Sequence, residues 1–407
     1  MLLRETLVSA LASSPPAPTP AHEITRLRRP GWPGGVASHV LILTGVRRCG
    51  KSTLQQQIRQ HEGGTAVALQ CEDTRLYGLG PEDFTTVLSV FDEHHPGVAV
   101  YLDEVQEVPE WQRLVRALLD AGRRVCVTGS NASLLGRELG TKLTGRHLSH
   151  EVYPFSYREF LAFTGATPGA ESLGDFLRRG GFPGALQAGP ELAPVLLREL
   201  LRDIVQRDIV SRHALRAVRP LMTLALHLLA HPGQPLSLQA ITKGLGLPAV
   251  AQTGRLIEYL QDAWLLLSVP RFSTSHRQRI VSPPKYYAVD TGLAAANSPN
   301  PTPDLGRKLE NAVLLALRRG GEVPAYAAAP HEWECDFITP KLAIQCCARL
   351  TPENRTRELR GLLAAATLPG AAGGNPRELL VLTLDQADAL TENGHAIRVV
   401  PAWDWLD

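Results

Sequence analysis

Gly45-Val46-Arg47-Arg48-Cys49-Gly50-Lys51-Ser52 follows the pattern GxxxxGK[ST] without a gap. An apolar run, Val40–Thr44, precedes it, and Ser52–His61, helical in spacing, follows it. Strand, glycine loop and helix in that order make a cradle for polyphosphate. Glycines at 45 and 50 let the backbone turn tightly, so that its N–H groups point at phosphate oxygens. The start of the helix adds the positive end of its dipole. Lys51 is expected to reach the β- and γ-phosphates, Ser52 to offer its hydroxyl to Mg2+, and Thr53 to lie near the α-phosphate. Val46, Arg47, Arg48 and Cys49 complete the loop. The chemistry implied is binding of ATP with Mg2+.

Val98-Ala99-Val100-Tyr101-Leu102-Asp103-Glu104 is an apolar strand ending in two carboxylates. Asp103 at the strand tip is placed to hold Mg2+, directly or through water. Glu104 is placed to polarise a water lined up behind the γ-phosphate. Such a pair is often an ordinary acidic strand end; its position downstream of a phosphate loop favours the hydrolytic reading. Arg124–Thr128 then ends in Gly129-Ser130-Asn131, and either Ser130 or Asn131 is a polar contact for the γ-phosphate or the water. In Leu143-Thr144-Gly145-Arg146 the arginine is either a stabiliser of phosphoryl charge, in its own subunit or a neighbour's, or a surface ion-pair residue.

These residues need a sheet to align them. Val40–Thr44, Ala66–Gln70, Val98–Leu102 and Arg124–Thr128 alternate with helical segments at Ser52–His61, Phe84–Phe91 and Trp111–Ala121. The alternation predicts an α/β fold with a parallel sheet and helices on both faces. Continuous apolar strands fit burial on both sides.

The chain of 407 residues is 44% hydrophobic and 20% charged, enough to bury real cores. A net charge of +2 gives no global support to nucleic-acid binding. Six cysteines without a CxxC pair read as reduced thiols in a cytoplasmic protein. Met1–Leu11 reads as a first helix and not as a secretory signal, and Ser13–Pro20 as a Pro-rich linker. No apolar run approaches the roughly 18 residues of a membrane span.

After Pro154 the pattern turns helical, with Ser156–Phe163, Leu173–Arg179 and Leu192–Ile209. Leu236–Leu245, Gly246–Pro248, Ala249–Tyr259 and Trp264–Val269 then read as helix, turn, helix and strand, the order of a winged helix-turn-helix. Its second helix carries Gln252, Thr253 and Arg255, a weak basic face diluted by Glu258. Ser273–Lys285 reads as a polar connection. From Tyr286 a third region follows: a helix at Leu305–Arg319, strands at Glu334–Thr339 and Leu342–Cys347, a helix at Thr356–Ala366, and strands at Leu379–Leu384 and Ile397–Pro401. The expected divisions are 1–20, a helix and linker; 21–165, an ATPase core; 166–215, a helical lid; 216–275, a winged helix; and 276–407, a terminal α/β domain.

LTGVRRCGKSTL, YLDEVQEVPEWQRLVRALLD, VTGSNASLL, LTGRHLSHEVYPFSYREF and YYAVDTGLA resemble the prokaryotic AAA+ superfamily P-loop ATPases, from about Glu23 onward. That resemblance implies an AAA-type core, a winged helix and a restriction-endonuclease-like domain. It also implies phosphate-loop roles for Gly45, Gly50, Lys51, Ser52 and Thr53, and magnesium and water roles for Asp103 and Glu104. Ser130 or Asn131 takes the sensor role, and Arg146 that of an arginine finger or sensor. Cores of this type commonly assemble into rings, so a homo-oligomer is expected.

Nucleases of the restriction-endonuclease-like fold need an acid, then D…(D/E)xK on a strand pair. Here Glu310 and Asp336 are present, Gln345 stands at the second acid and Cys347 at the lysine. The expectation is a degenerate nuclease with the fold kept and cutting lost. His331, Cys335, Cys346 and Cys347 lack standard zinc-ligand spacing. Two functions remain: an ATPase acting with DNA, or a nucleotide-dependent switch acting on a protein partner.

Overall fold

A computed structural model describes residues 4–12, 26, 39–62, 66–131, 143, 145–298, 304–329, 332–370 and 376–406. The Pro-rich segment 13–20 and His331 lie outside the described residues. The chain divides into two compact units, 1–152 with 262–264, and 153–261 with 265–407.

In the first unit five parallel strands form one sheet: β1 (Val40–Thr44), β2 (Ala66–Gln70), β3 (Ala99–Asp103), β4 (Val125–Gly129) and β5 (His147–Glu151), in the order β2-β3-β4-β1-β5. β1 and β4 are buried along their whole length, as continuous apolar strands between helical layers must be. β5 reads His-Leu-Ser-His-Glu and gives no apolar signal. It can be polar because, among the described residues, it is an edge strand paired with β1 alone.

Helix α1 (Arg4–Ala12) joins this unit's core through Leu7, Ala10 and Leu11. Leu7 is 1% exposed, a burial contributing on the order of 2 kcal/mol. Further helices are α2 (Lys51–Glu62), α3 (Phe84–His94) and α4 (Trp111–Asp120). α4 buries Trp111, Leu114, Val115, Leu118 and Leu119, the i, i+3, i+4, i+7, i+8 stripe of an amphipathic helix.

The second unit begins with helices at Tyr157–Thr164, Ala170–Arg179 and Pro183–Asp203, the last broken at Gly189. Residues Ile204–Ser211 continue as a π-helix, where the sequence predicts ordinary helix. Val218–Ala230, Leu238–Gly244 and Val250–Asp262 are helices, followed by an antiparallel pair, β6 (Leu266–Val269) and β7 (Lys285–Ala288). A six-stranded mixed sheet then has the order β12-β13-β11-β10-β9-β8, with β8 at Ala325–Ala329, β9 at Trp333–Ile338, β10 at Leu342–Cys346, β11 at Glu378–Thr383, β12 at Asp388–Glu392 and β13 at His395–Pro401. The helix Pro352–Ala366 packs on β9 and β10, burying Leu359, Leu362 and Ala365 against Cys335, Ala343 and Val381.

Asp290 fastens the helical part of this unit. Its Oδ1 accepts from the Leu293 N–H at 2.7 Å, capping the helix Thr291–Asn297, and its Oδ2 accepts from the Gly181 N–H at 2.6 Å. A Cβ on Gly292 would lie 2.1 Å from the Arg179 carbonyl oxygen. The sequence VDTGL is therefore a cap combined with a close backbone crossing.

Candidate nucleotide site

The carboxyl ends of β1, β3 and β4 lie side by side, and a crevice beyond such ends is where open α/β sheets bind ligands. The loop Gly45–Gly50 leaves β1 there and enters α2. Gly50 has φ +99°, a left-handed conformation that favours glycine. Gly45 is needed for a different reason. A Cβ at that position would lie 2.0 Å from the carbonyl oxygen of Val152. Val46 and Cys49 are buried, so the loop presents backbone and not these side chains. Arg48 is exposed and left-handed at φ +63°, and Arg47 pairs with Glu72 at 3.4 Å.

Lys51 is 3% exposed. Its Nζ donates to the carbonyl oxygens of Gly45 and Val46, each at 3.2 Å, and stands 3.5 Å from Oε1 of Glu104. The Ser52 hydroxyl donates to Oδ1 of Asp103 at 3.0 Å. The Thr128 hydroxyl, from β4, donates to the same oxygen. Burial pushes the Asp103 carboxyl up from its ordinary range, while the Thr128 and Ser52 hydrogen bonds pull it down.

Glu104 has φ +50° and ψ +51°, an unusual conformation for a residue with a side chain. Its N–H donates to the Thr128 hydroxyl at 2.8 Å. Gln106 holds its other oxygen, Oε2, with Nε2 at 2.5 Å and also approaches Ser130 Oγ at 3.4 Å. Two carboxylates, an ammonium and two hydroxyls thus converge from three segments. Ser52 and Asp103 supply hard oxygen donors of the kind Mg2+ takes, so the residues present fit that ion.

Asn131 is buried, and its carbonyl accepts from the Thr44 hydroxyl at 3.2 Å, which sets it at the end of β1. Arg146 is different. Its carbonyl accepts from the Val40 N–H at 3.0 Å, at the amino end of β1, and its guanidinium pairs with Asp120 at 2.7 Å. β1 runs from there to Thr44, roughly 13 Å along a strand. The structure does not bring Arg146 to the phosphate loop of its own chain, which corrects that part of the expectation.

Sequence reasoning passed over Thr128, Gln106 and Arg26. Arg26 is buried and its Nη1 donates to the Cys49 carbonyl at 3.0 Å, bracing the loop from outside. Only Thr128, at the end of a strand already recognised, had a signal to find it by.

Residues 37–161 match the AAA domain family. A second family model, described as a domain of unknown function, matches residues 170–304. An uncharacterised protein of Methanocaldococcus jannaschii is 28% identical over 399 residues, covering 91% of this chain and 88% of that one. One from Haemophilus influenzae is 27% identical over 347 residues, covering 80% and 86%. Among solved structures, a Walker-type ATPase of Pyrococcus abyssi has a TM-score of 0.43 at 16% identity, covering 63% of this chain and 90% of that one. The stretch that matches the AAA domain family spans the phosphate loop, the Asp103–Glu104 tip and β5.

Elsewhere in the chain, Thr253 is fully buried and accepts from Thr242 Oγ1 at 2.8 Å, so it packs its helix and offers nothing outward. In the terminal region Glu310 and Asp336 do converge. The cation beside them is Lys285, from the segment read as a connection, with Nζ 2.9 Å from Glu310 and 3.3 Å from Asp336. Among the described residues no group of three metal-ligating side chains is poised as a metal site, and no helix is long and apolar enough to cross a membrane.

Proposed function

We propose that this chain binds ATP with Mg2+ at the AAA domain and hydrolyses it, and that turnover is coupled to DNA. The observation that carries the ATPase reading is the meeting of Lys51 and Ser52 with Glu104 and Asp103 at one strand edge. Ser52 and Asp103 would hold Mg2+, which when bound neutralises charge on the phosphates. Lys51 leaves its own loop carbonyls to bind the β- and γ-phosphates. Glu104 takes the proton of the attacking water. Asn131 is proposed as the polar sensor at the neighbouring strand end. Arg146, remote from its own site, has a phosphoryl-stabilising role only at the site of a second copy, which ties full activity to self-association.

Coupling to DNA rests on the winged-helix-like order of Leu238–Gly244, Val250–Asp262, β6 and β7, with Arg255 exposed on the second helix. One observation favours a second reading, a nucleotide-dependent switch that acts on a protein partner. Thr253 is buried and Tyr259 stacks on His213 at 3.8 Å between ring centroids, so that helix spends much of its surface on packing.

ATPase turnover with and without DNA, at varied salt and protein concentration, separates the two. Several-fold stimulation by DNA, with binding that weakens steeply as salt rises, supports the first. DNA-indifferent turnover that changes with protein concentration supports the second. In the same assay Lys51→Ala loses nucleotide affinity, and Glu104→Gln binds nucleotide but stalls. Normal turnover by Glu104→Gln removes that residue from its role.

A further inference from the structure

The second unit contains an open cleft of 740 Å³ lined by Glu310, Glu334, Asp336, Gln345, Arg349 and Arg357, among others. Its floor is built around one ammonium group. Lys285 is 0% exposed, and its Nζ meets Glu334 at 2.7 Å in addition to Glu310 and Asp336. An ammonium carries three N–H donors and no acceptor. Three carboxylates, one per donor, saturate it. The Nζ also stands over the Tyr326 ring, 5.4 Å from its centroid.

The surrounding bonds fix the acids as firmly as the lysine. Tyr287, two residues further along β7, donates its hydroxyl to Oε1 of Glu310 at 2.6 Å. Oδ2 of Asp336 accepts from the Cys346 N–H at 2.8 Å. Gln345 is 7% exposed, and its Nε2 donates to Glu358 at 2.9 Å, while its Oε1 is buried without a hydrogen-bond partner. Carboxylate oxygens on three sides with an unused amide oxygen nearby are the donors a hard divalent cation takes. Here they enclose an ammonium instead.

We propose that Lys285 is the resident cation of this cleft, occupying the place a divalent metal would take among Glu310, Glu334 and Asp336, and so closing the wild-type cleft to metal-dependent phosphodiester chemistry. A divalent ion entering these carboxylates would face the ammonium across a few ångströms of low-dielectric interior. Lys285 cannot relieve that repulsion by swinging into water, because its side chain is enclosed. Removing the lysine would leave three carboxylates around an ammonium-sized vacancy, with the Gln345 oxygen in the same cleft, a site for Mn2+ or Ca2+.

The test is Mn2+ titration of the nucleotide-free full chain, following the free Mn2+ resonance, for wild type, Asp336→Asn, Lys285→Ala and Lys285→Ala/Asp336→Asn. Wild type and Asp336→Asn should give superimposable curves. Lys285→Ala should take up one additional Mn2+ per chain, and its thermal midpoint should rise with Mn2+ by about 3 °C or more. Both effects should vanish in the double variant. Mn2+ uptake by wild type that depends on Asp336 overturns the proposal, and so does a folded Lys285→Ala chain with no added uptake. Should Lys285→Ala fail to fold at any Mn2+ concentration, the comparison of wild type with Asp336→Asn still decides.

Discussion

The hydroxyl of Ser52 lies 3.0 Å from Oδ1 of Asp103, joining the first turn of a helix to a strand tip 51 residues away. Thr128 donates to the same oxygen from the neighbouring strand. Both hydroxyls are thereby aimed at one carboxylate oxygen. If this oxygen set holds Mg2+, then Asp103→Asn and Ser52→Ala should each weaken nucleotide binding in Mg2+ by about tenfold or more, and much less in EDTA. Fluorescent-nucleotide titration under the two conditions measures this. An equal loss in both would show that the pair serves the loop and not the ion.

The phosphate loop and the strands β1, β3 and β4 are legible in the sequence because their information is local. A contiguous glycine motif and unbroken apolar runs need no knowledge of distant residues. What escapes is set by register and by remote partners. β5 is polar because it is an edge, which only the strand order reveals. β8, Ala325–Ala329, is rich in alanine, a weak strand former. Lys285 precedes Tyr-Tyr-Ala and reads as solvated. Its burial makes sense only with Glu310, Glu334 and Asp336 in place, supplied by elements far along the chain. Gln106 becomes visible as a site residue only once the turn after β3 is seen bringing it to Glu104 and Ser130.

Gly45 and Gly50 should respond differently to alanine. At Gly45 the added methyl meets the backbone carbonyl of Val152 at 2.0 Å, and backbone against backbone has no soft way to yield. Gly45→Ala should lower the unfolding free energy by about 2 kcal/mol and disturb the loop enough to impair nucleotide binding. At Gly50 the nearest atom is the Arg26 Nη1 at 3.3 Å, a movable group, and the cost is mainly the left-handed backbone, about 1–2 kcal/mol. Urea denaturation beside nucleotide titration checks both. A stable, nucleotide-competent Gly45→Ala would refute the close approach to Val152.

Gln106 grips Oε2 of Glu104 while Lys51 stands at Oε1. On the hydrolytic reading this amide sets the angle at which the carboxylate faces water. Gln106→Ala should therefore reduce kcat by about tenfold, with nucleotide affinity held within about twofold. Single-turnover hydrolysis and equilibrium binding separate the two effects. Weaker binding with unchanged kcat would make Gln106 a binding residue.

Asp290 gives a pH signature to the second unit. Burial pushes its carboxyl up from 3.8 to about 6, against the opposing bonds from the Gly181 and Leu293 N–H groups. The folded chain therefore holds this proton more tightly than the unfolded chain, and between about pH 4 and about pH 6 it binds more protons. Its contribution to stability is greatest at the acid end of that window. It declines as pH rises and levels off above about 6, a change of up to about 3 kcal/mol. Asp290→Asn cannot titrate and lacks this slope. The unfolding free energy of wild type minus that of Asp290→Asn, measured by urea denaturation from pH 4.5 to 7.5, should fall steadily and then flatten. A difference independent of pH would mean that Asp290 is already ionised throughout, held down by its two backbone donors more strongly than burial raises it.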